Sequence, residues 1–422
     1  MAIPQHHANA YLDHLLRERS VEELGEALRP KTEVEPAARI PRDPLINPEA
    51  VAGRWALFPG KEEAHEQLLD PLTASAMETY QRNIENFVGT VKVPVGIAGP
   101  LRVNGLFAQG DYYVPLATTE AALVASYGRG AQIISRAGGC TTMLLSESVS
   151  RAPGFAFDNL QQVGVFVAWV VPQIEQFRSV AAGTTSHGEL IDMQVMVEGN
   201  HVYLRFEYHC GDASGQNMVT IATQAICDYI REHSPVAPSH AFVEANLSGD
   251  KKASAQSFLS VRGKKVTAEI TLPAALVEKG LHTTPKAMND YWRMSALGGV
   301  MSGTIGVQGH FANGLAALYI ACGQDAACVA ESAVGVTRFE LTEDGDLYAA
   351  VTLPNLMVGT VGGGTGLPSQ KAALDLMGLV GAGKARALAE VAAGLALAGE
   401  LSIIGALCAD HFTNAHQQLA RG

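Results

Sequence analysis

Several features are scarce in this chain of 422 residues, and each scarcity excludes a class of protein. Charged residues make up only 17% with a formal net charge of −12, and no Lys/Arg-rich run is present, so we expect no nucleic-acid partner. The six cysteines form no CxxC pair and no Cys/His group with zinc spacing. We therefore expect buried thiols in a reducing compartment and no metal site.

Long uninterrupted apolar runs are also missing. The longest apolar stretch, residues 391–407, is broken by glycines, by Glu400 and by Ser402, whereas a membrane span requires about 20 mostly apolar residues. No basic region followed by an apolar core opens the sequence, so no signal peptide is predicted. We expect a cytoplasmic protein without a membrane partner, whose 47% of hydrophobic residues form a large core.

The first half of the chain alternates between segments with helical patterns and segments with strand-like patterns. Residues 1–80 are predicted to form an N-terminal helical arm, either for subunit contacts or as a surface extension. Residues 91–105 predict a strand, a tight turn and a second strand. The following TTEAALVASYGRG has helical spacing, with Thr118 or Thr119 as the expected N-cap.

Residues 153–240 differ in character and predict a small α+β insertion. The segments VGVFVAWVV, LIDMQVMVEG and HVYLRFEYH are strand-like, with a hairpin turn at Glu198–Asn200. A helix is predicted over residues 221–233. Further on, KKVTAEITLP predicts a strand. The Ala- and Gly-rich segment from residue 384 onwards predicts helix that packs closely through its small residues.

Four short motifs together supply a general-acid and oxyanion-binding set of side chains. They are ATTEAALVAS, NLSGDKK, IACGQDAA and DHFTNAH, and they contain Glu120, Lys251, Asp325 and His416. Each also has a purely structural interpretation: a glutamate in the first turn of a helix, a solvated turn, or a surface histidine. Asp325 follows an apolar run, where an aspartate requires a cation, so we expect a lysine beside it.

Two Gly-rich segments could approach a nucleotide. The segment GTVGGGTG lacks the Walker spacing and is weak support for a phosphate loop. Residues 212–217, DASGQN, precede a helix expected to begin near Met218. Backbone amides at such a helix start can bind a pyrophosphate, although Asp212 would serve equally as an N-cap.

The order of the motifs resembles that of 3-hydroxy-3-methylglutaryl-CoA (HMG-CoA) reductases over about residues 80–422. The shared segments are ENFVGTVKVPVGIAGPL, PLATTEAALVAS, GDASGQNM, SGDKK, ACGQDAA, GTVGGGTGLPSQ and AGELS. The residues DKK in the SGDKK motif resemble the class of these reductases found in eukaryotes and archaea. The resemblance implies an α+β fold in which residues 81–153 and 241–422 form a large helix-rich domain that binds the CoA thioester. A small ferredoxin-like domain, residues 154–240, is inserted in it and binds the cofactor.

The resemblance also implies functional residues. The catalytic ones are Glu120, Lys251, Asp325 and His416. Those that bind substrate are Arg151, Asn246, Asp250, Lys252 and Asn313. Those that bind the cofactor are Ser186, His187, Asp212, Ser214, Gly215, Gln216 and Asn217. A homodimer or higher homo-oligomer, with an active site between subunits, is implied as well.

The implied reaction is the four-electron reduction of HMG-CoA to mevalonate and CoA. NADPH is the expected cofactor and NADH the alternative, because Ser186–His187 stands where the family carries Ser-Arg. Two further departures leave other functions open: DASGQN replaces DAMGMN, and Glu244 replaces a serine. The alternatives are a different acyl-CoA, the mevalonate-oxidising direction, or a catalytically silent CoA-binding paralogue.

Overall fold

A computed structural model describes residues 3–409 as two units, divided between Thr90 and Val91. The first unit extends ten residues beyond the predicted arm of residues 1–80. The boundaries predicted at residues 153 and 240 lie inside the second unit, and that subdivision remains a prediction.

Short helices form the first unit: α1 (Gln5–Glu18), α2 (Val21–Leu28), α3 (Pro48–Trp55), α4 (Glu62–Leu68), α5 (Pro71–Ser75) and a 3-10 turn (Met77–Tyr80). Ser20 divides the first predicted helix, because its hydroxyl and Glu23 form a capping box that starts α2. A small core of Ile46, Val51, Met77 and Phe87 holds the unit together.

One mixed sheet of eleven strands runs through the second unit. Its strands are β1 (Val95–Gly105), β2 (Gln109–Ala117), β3 (Cys140–Arg151), β4 (Gly154–Ala156), β5 (Glu189–Glu198), β6 (His201–His209), β7 (His240–Phe242), β8 (Gly263–Leu272), β9 (Gly306–Val307), β10 (Gly335–Leu341) and β11 (Leu347–Leu356). Their order is β7-β4-β6-β3-β8-β11-β10-β9. In addition, β1 pairs with β2 and β3, and β5 pairs with β6.

Helices cover this sheet. They are α6 (Leu123–Arg136), α7 (Leu160–Val170), α8 (Ile174–Ala182), α9 (Gln216–His233), α10 (Gln256–Leu259), α11 (Ala274–Leu281), α12 (Pro285–Ser302), α13 (Phe311–Ala321), α14 (Val329–Ser332), α15 (Pro368–Leu376) and α16 (Ala385–Cys408). Three 3-10 turns, Val171–Gln173, Ala326–Cys328 and Gly363–Gly366, complete the unit.

The inserted segment has the ferredoxin-like arrangement that the resemblance implied. Along the chain it runs β4, α7 and α8, β5, β6, α9, β7, and its strands lie in the order β7-β4-β6-β5 with every neighbour antiparallel. This is a βαββαβ unit with strand order 4-1-3-2. The long strand β3 joins it to the larger part, since β3 pairs with β6 on one side and with β8 on the other.

One predicted strand in this segment is wrong. VGVFVAWVV lies in α7, not in a strand. Its buried residues Val163, Phe166 and Val170 are three and four positions apart, which is helical spacing, and Asn159 caps the helix by accepting from the backbone N–H of Gln162. The β-branched residues that suggested a strand therefore pack one face of a helix.

The other strand predictions are largely confirmed. The hairpin of β5 and β6 turns at Gly199–Asn200, where Gly199 has φ +54°. KKVTAEITLP forms β8. The predicted strand–turn–strand at residues 91–105 is instead the single strand β1, because a bulge between Ala98 and Leu101 replaces the turn.

The final described helix, α16, forms the centre of the core. It is long and apolar enough to span a membrane by length and composition, yet 83% of its most apolar window is buried inside the protein. Its two fully buried glutamates bind backbone amides: Glu390 accepts from Leu106, Phe107 and Ala108, and Glu400 accepts from Gly309 and His310. These bonds explain acidic residues in an apolar helix, since each carboxylate is fully used.

Candidate active site

Lys251 and Asp325 form an ion pair, as the apolar run before Asp325 predicted. The Lys251 Nζ lies 2.8 Å from the Asp325 Oδ2. Both side chains are about 40% exposed (41% and 39%), so the pair faces an accessible surface rather than the core. The hydrogen bond that Lys251 donates to the Asp325 carboxylate raises the pKa of Lys251 above its ordinary value, which keeps the ammonium charged.

The loop that carries Lys251 has an unusual backbone. Asn246, Gly249 and Lys251 all have φ between +58° and +74°, the left-handed region that side chains with a Cβ rarely adopt. The predicted solvated turn at 250–252 is therefore only partly correct. Lys252 is exposed and its Nζ donates to the Asp250 carbonyl at 2.8 Å, whereas the Asp250 side chain points into the protein.

Beneath this loop lies a network of buried charges. The two Asp250 oxygens accept from Arg262 at 2.7 Å and from Arg151 at 3.1 Å. Arg262 also contacts both oxygens of Glu331, at 2.5 and 2.6 Å, and Glu331 accepts from the Lys251 backbone N–H at 3.1 Å. Since charges buried in this way are costly unless paired, the network holds Asp250 and Lys251 in one arrangement.

Glu244 belongs to the same network. Its Oε2 accepts from Arg151 and from the backbone of Ala152, and its Oε1 accepts from the backbone N–H of Asn246 at 2.7 Å. The negative charge of Glu244 is thus matched by an arginine and two amides. Glu244 thereby supports the left-handed turn at Asn246. This is a structural role for the glutamate that replaces the serine of the family pattern.

A second group of predicted residues surrounds Glu120. Both Glu120 oxygens lie 3.1 Å from the Asn313 Nδ2. The prediction that Glu120 sits in the first turn of a helix is wrong, because α6 begins at Leu123 after Ala122 with φ +69°. Thr118 does not cap α6 either. Its hydroxyl accepts from the backbone N–H of Glu120 and forms a local turn.

Glu120 and Asn313 line a cavity of about 520 Å³. Apolar side chains of α6 and α16 also line it, among them Leu123, Ile403 and Leu407, together with the polar residues Ser126, Arg129 and His310. Of the residues that the structure describes, Lys251 and Asp325 do not line this cavity. Three of the implied catalytic residues thus lie in two groups: Lys251 with Asp325 above the ionic network, and Glu120 with the implied substrate-binding residue Asn313 at the cavity.

Three residues near these groups, His310, Arg262 and Glu331, were not predicted from the sequence. His310 lines the cavity near Asn313 and stacks on Tyr127 with ring centroids 5.1 Å apart. The spacing of three between His310 and Asn313 at the start of α13 was an available signal. Glu331 lies within the apolar run AACVAESAVGV. This was a second available signal, because a buried acid needs a partner, the same argument that predicted a lysine beside Asp325.

The predicted cofactor residues lie in two loops that approach each other. Gly188 follows Ser186 and His187, and a Cβ on it would lie 2.5 Å from the Met218 Cε in the first turn of α9. The DASGQN loop also packs on GTVGGG, since a Cβ on Gly359 would lie 2.6 Å from the Ser214 backbone N. The exposed Ser186 and His187 are hydrogen-bonded to each other at 2.9 Å.

Within the DASGQN loop two side chains bind the protein itself. Asp212 accepts from the backbone amides of Gly383 and Ala385, at the start of α16 rather than of α9. The helix α9 begins at Gln216, not near Met218, and no side chain caps it. The Gln216 amide enters the buried network, where it donates to the Cys328 Sγ and accepts from Arg262.

His416 lies outside the described residues, so its assignment remains a prediction. Within residues 3–409, the structure contains no group of three or more His, Cys, Asp or Glu side chains arranged to hold a metal ion.

Comparisons with known proteins agree with the motifs. The sequence profile of the hydroxymethylglutaryl-coenzyme A reductase family matches residues 50–421. The 3-hydroxy-3-methylglutaryl-coenzyme A reductase of Pyrococcus horikoshii is 43% identical over 352 residues, covering 82% of this chain and 85% of the relative. The enzyme of that name from Methanothermobacter thermautotrophicus is 44% identical over 345 residues, covering 81% and 86%.

A solved structure shares the fold. The class II enzyme from Streptococcus pneumoniae, bound to NADPH in open conformations, superposes with a TM-score of 0.64 at 20% identity, over 82% of this chain and 97% of that chain. The higher identity to the archaeal enzymes agrees with the class indicated by the DKK motif. The chain therefore belongs to the hydroxymethylglutaryl-coenzyme A reductase family.

Proposed function

We propose that this protein reduces HMG-CoA to mevalonate and CoA with two molecules of NADPH. The observation that carries the proposal is the pairing of Lys251 with Asp325 at 2.8 Å, on a loop held by buried charges, in a member of this family. An exposed ammonium held in a fixed position is what a developing oxyanion requires.

Lys251 is the oxyanion-stabilising residue in this proposal. The nicotinamide supplies the hydride in each of the two reductions. As the thioester carbonyl gains negative charge on its oxygen, the Lys251 ammonium offsets that charge, and Asp325 holds the ammonium in place. The raised pKa of Lys251 supports this role, because the amine must stay protonated through the reaction.

Proton transfer is assigned to the two remaining residues. We propose that Glu120 protonates the carbonyl oxygen during the second reduction, which converts the aldehyde to the alcohol. The Asn313 amide orients its carboxyl group. His416 is proposed to protonate the departing CoA thiolate, which would otherwise attack the aldehyde again.

Substrate binding is assigned to residues on or next to the lysine loop. Arg151, Asp250 and Lys252 form one connected set with Asn246 on the same loop, and Asn313 contacts Glu120. Cations and amides in this setting suit the carboxylate of the hydroxymethylglutaryl group.

The residues present fit a dinucleotide cofactor. The uncapped N-terminus of α9, with Gly215 at φ +78° and an exposed Asn217 in its first turn, offers amides to a pyrophosphate. Close packing at Gly359 brings GTVGGG against Ser214, and Gly188 brings Ser186 and His187 near the same helix start. Because Asp212 and Gln216 bind protein groups, their proposed part in cofactor binding is to shape this loop.

We propose NADPH as the preferred cofactor and NADH as a weaker one. A hydroxyl and an imidazole at Ser186–His187 can bind the additional phosphate, but they lack the paired donors of an arginine. The preference is therefore expected to be smaller than an arginine would give.

We also propose that the protein is a homodimer or higher homo-oligomer with its active site between subunits. Exposed apolar side chains on one helix, α12, support this part of the proposal. Met294, Leu297 and Met301 recur at spacings of three and four, and they are 67% to 84% exposed. Such a stripe is typical of a helix that packs against another chain.

The proposed location is the cytoplasm. All six cysteines are free thiols and five of them are buried, which suits a reducing compartment.

A direct assay tests the proposed reaction. Oxidation of NADPH and of NADH is followed spectroscopically with HMG-CoA and a panel of other acyl-CoA thioesters, and mevalonate is identified as product. We expect turnover with HMG-CoA, faster at limiting NADPH than at limiting NADH. Turnover only with another thioester, or with none, would show that the proposed reaction is wrong.

A further inference from the structure

The buried carboxylate of Glu331 has no part in the reaction proposed above, yet it touches the residue that does. Glu331 lies in the short helix α14 with its side chain fully buried. One of its oxygens, Oε1, accepts from the backbone N–H of Lys251 at 3.1 Å. A fully buried charge that contacts the main chain of an exposed lysine calls for an explanation, because burial of a charge is costly.

Lys251 needs such a contact because of its backbone. Its φ of +58° lies in the left-handed region, where a residue with a Cβ stays only if its surroundings hold it. The Asp325 carboxylate holds the tip of the side chain at Nζ, and Glu331 holds its base at the backbone N–H. Two anchors at opposite ends of the lysine determine where the ammonium points.

Arg262 makes the Glu331 anchor rigid. This fully buried guanidinium binds both Glu331 oxygens and also Asp250 Oδ1, so neighbouring residues 250 and 251 are tied to one arginine–glutamate pair. The Arg262 Nη1 donates to both Glu331 oxygens and its Nη2 donates to Asp250, so these charge-assisted bonds restrict the orientation of both carboxylates together. Rotation of the Glu331 carboxylate would break contacts with Arg262 as well as with the lysine loop.

We propose that Glu331 is a positioning residue for Lys251: it fixes the left-handed backbone of the lysine and thereby places the ammonium for oxyanion stabilisation. This role rests on the proposed reductase function. Glu331 does not touch substrate, and it acts only through the backbone of Lys251 and through Arg262.

The test compares Glu331→Gln with Glu390→Gln, a matched change of another fully buried glutamate that accepts from backbone amides. Glu390 lies on α16, where its partners are the amides of residues 106–108. We expect both variants to melt at lower temperature. Only Glu331→Gln should lower kcat, by about 10-fold or more. The new amide –NH₂ of glutamine meets the donating Arg262 Nη1, which displaces the side chain from Lys251, and a displacement of about 1 Å can cost up to about 10²-fold. The KM for HMG-CoA should stay within about threefold.

A double mutant separates positioning from general structural damage. In a Lys251→Ala background the ammonium is gone, so adding Glu331→Gln should change kcat by less than about twofold, because residues that act through one group are not additive. The same fold loss in both backgrounds would overturn the positioning role, and so would an unchanged kcat for Glu331→Gln.

Two further measurements keep the result decisive. If Glu331→Gln does not fold, Glu331→Asp keeps the charge for Arg262 but shortens the reach to Lys251, and the same criteria apply to it. The unsubstituted protein is assayed first. Its failure to turn over HMG-CoA would overturn the proposed function and this role together, whereas normal turnover with an unaffected Glu331 variant would overturn the role alone.

Discussion

The lysine loop and the wall around Glu120 are built by different physical means. Below Lys251 lie Asp250, Glu331 and two buried arginines, joined by hydrogen bonds of 2.5 to 3.1 Å. Glu120 contacts one neutral amide, from Asn313, and lines a cavity of about 520 Å³ that has both apolar and polar side chains in its walls. Lys251, which we propose stays charged, is thus held by charged groups, whereas Glu120, the proposed proton donor, has a neutral partner.

This difference has a physical reason. Breaking one member of a buried ionic network leaves an unpaired charge, so such a network permits little movement. Within residues 3–409 the Glu120 carboxyl group is held by a neutral amide and forms no ion pair, which suits a group proposed to donate a proton. The following changes test whether the two regions differ in this way.

Removal of the ammonium should have the largest effect. Lys251→Ala is expected to lower kcat by about 10²- to 10³-fold, the usual cost of losing an oxyanion stabiliser. Steady-state kinetics with HMG-CoA measure the loss. Lys279→Ala serves as the control, because Lys279 is an exposed lysine in the last turn of α11. Equal turnover by the Lys251 variant and the control would contradict the assignment.

Substitution of Glu120, which lines the cavity, should affect mainly the second reduction, that of the aldehyde. In Glu120→Gln the side chain keeps its shape but has no proton to donate, so aldehyde reduction should slow by about 10²-fold. Rates measured separately with the thioester and with the aldehyde intermediate check this. A larger loss with the thioester than with the aldehyde would reverse the roles given to Glu120 and Lys251.

Neutralising the partner of the lysine should change the pH dependence. Asp325 raises the pKa of Lys251, and the protonated amine is the active form, so activity is lost as pH rises through that pKa. Asp325→Asn lowers this pKa, and we expect the alkaline limb of kcat to move to lower pH by about one unit. A pH–rate profile whose alkaline limb stays in place would show that Asp325 does not tune the lysine.

The smallest expected effect concerns a residue outside both regions. Asp212 accepts from two amides at the start of α16, so Asp212→Ala should reduce the free energy of unfolding by about 1 kcal/mol, as for a lost helix cap. Thermal melting measures it, with Asp212→Asn as the matched change, because asparagine retains one acceptor oxygen. Identical melting temperatures for the alanine variant and the unsubstituted protein would argue against the capping role.

Local patterns were sufficient for several parts of the fold. The hairpin at Gly199–Asn200 and strand β8 could be predicted because turn residues and strand alternation are short-range signals. Helix α7 could not, because a run of β-branched residues fits a strand or a buried helix face, and only the packing of Phe166 and its neighbours distinguishes them.

In the candidate site, too, some contacts could be predicted from local sequence patterns and others could not. The Lys251–Asp325 pair was predictable, since an acid after an apolar run needs a cation and the chain offers a lysine in a comparable motif. The partnership of Arg262 with Glu331 was not, because 69 residues separate them and neither is in a motif that suggests the other. The position of Glu120 before α6, rather than in it, depended on the left-handed turn at Ala122.

The sequence by itself determined the family and its reaction and predicted which side chains react, because these follow from residue types and their order along the chain. Only the tertiary structure decided how the groups are held. Which arginine meets which carboxylate, and which amide lies beside Glu120, depends on contacts between distant segments. Those contacts exist only after β3, β8 and α13 have packed around α16 and α14 has packed against α13 and β11.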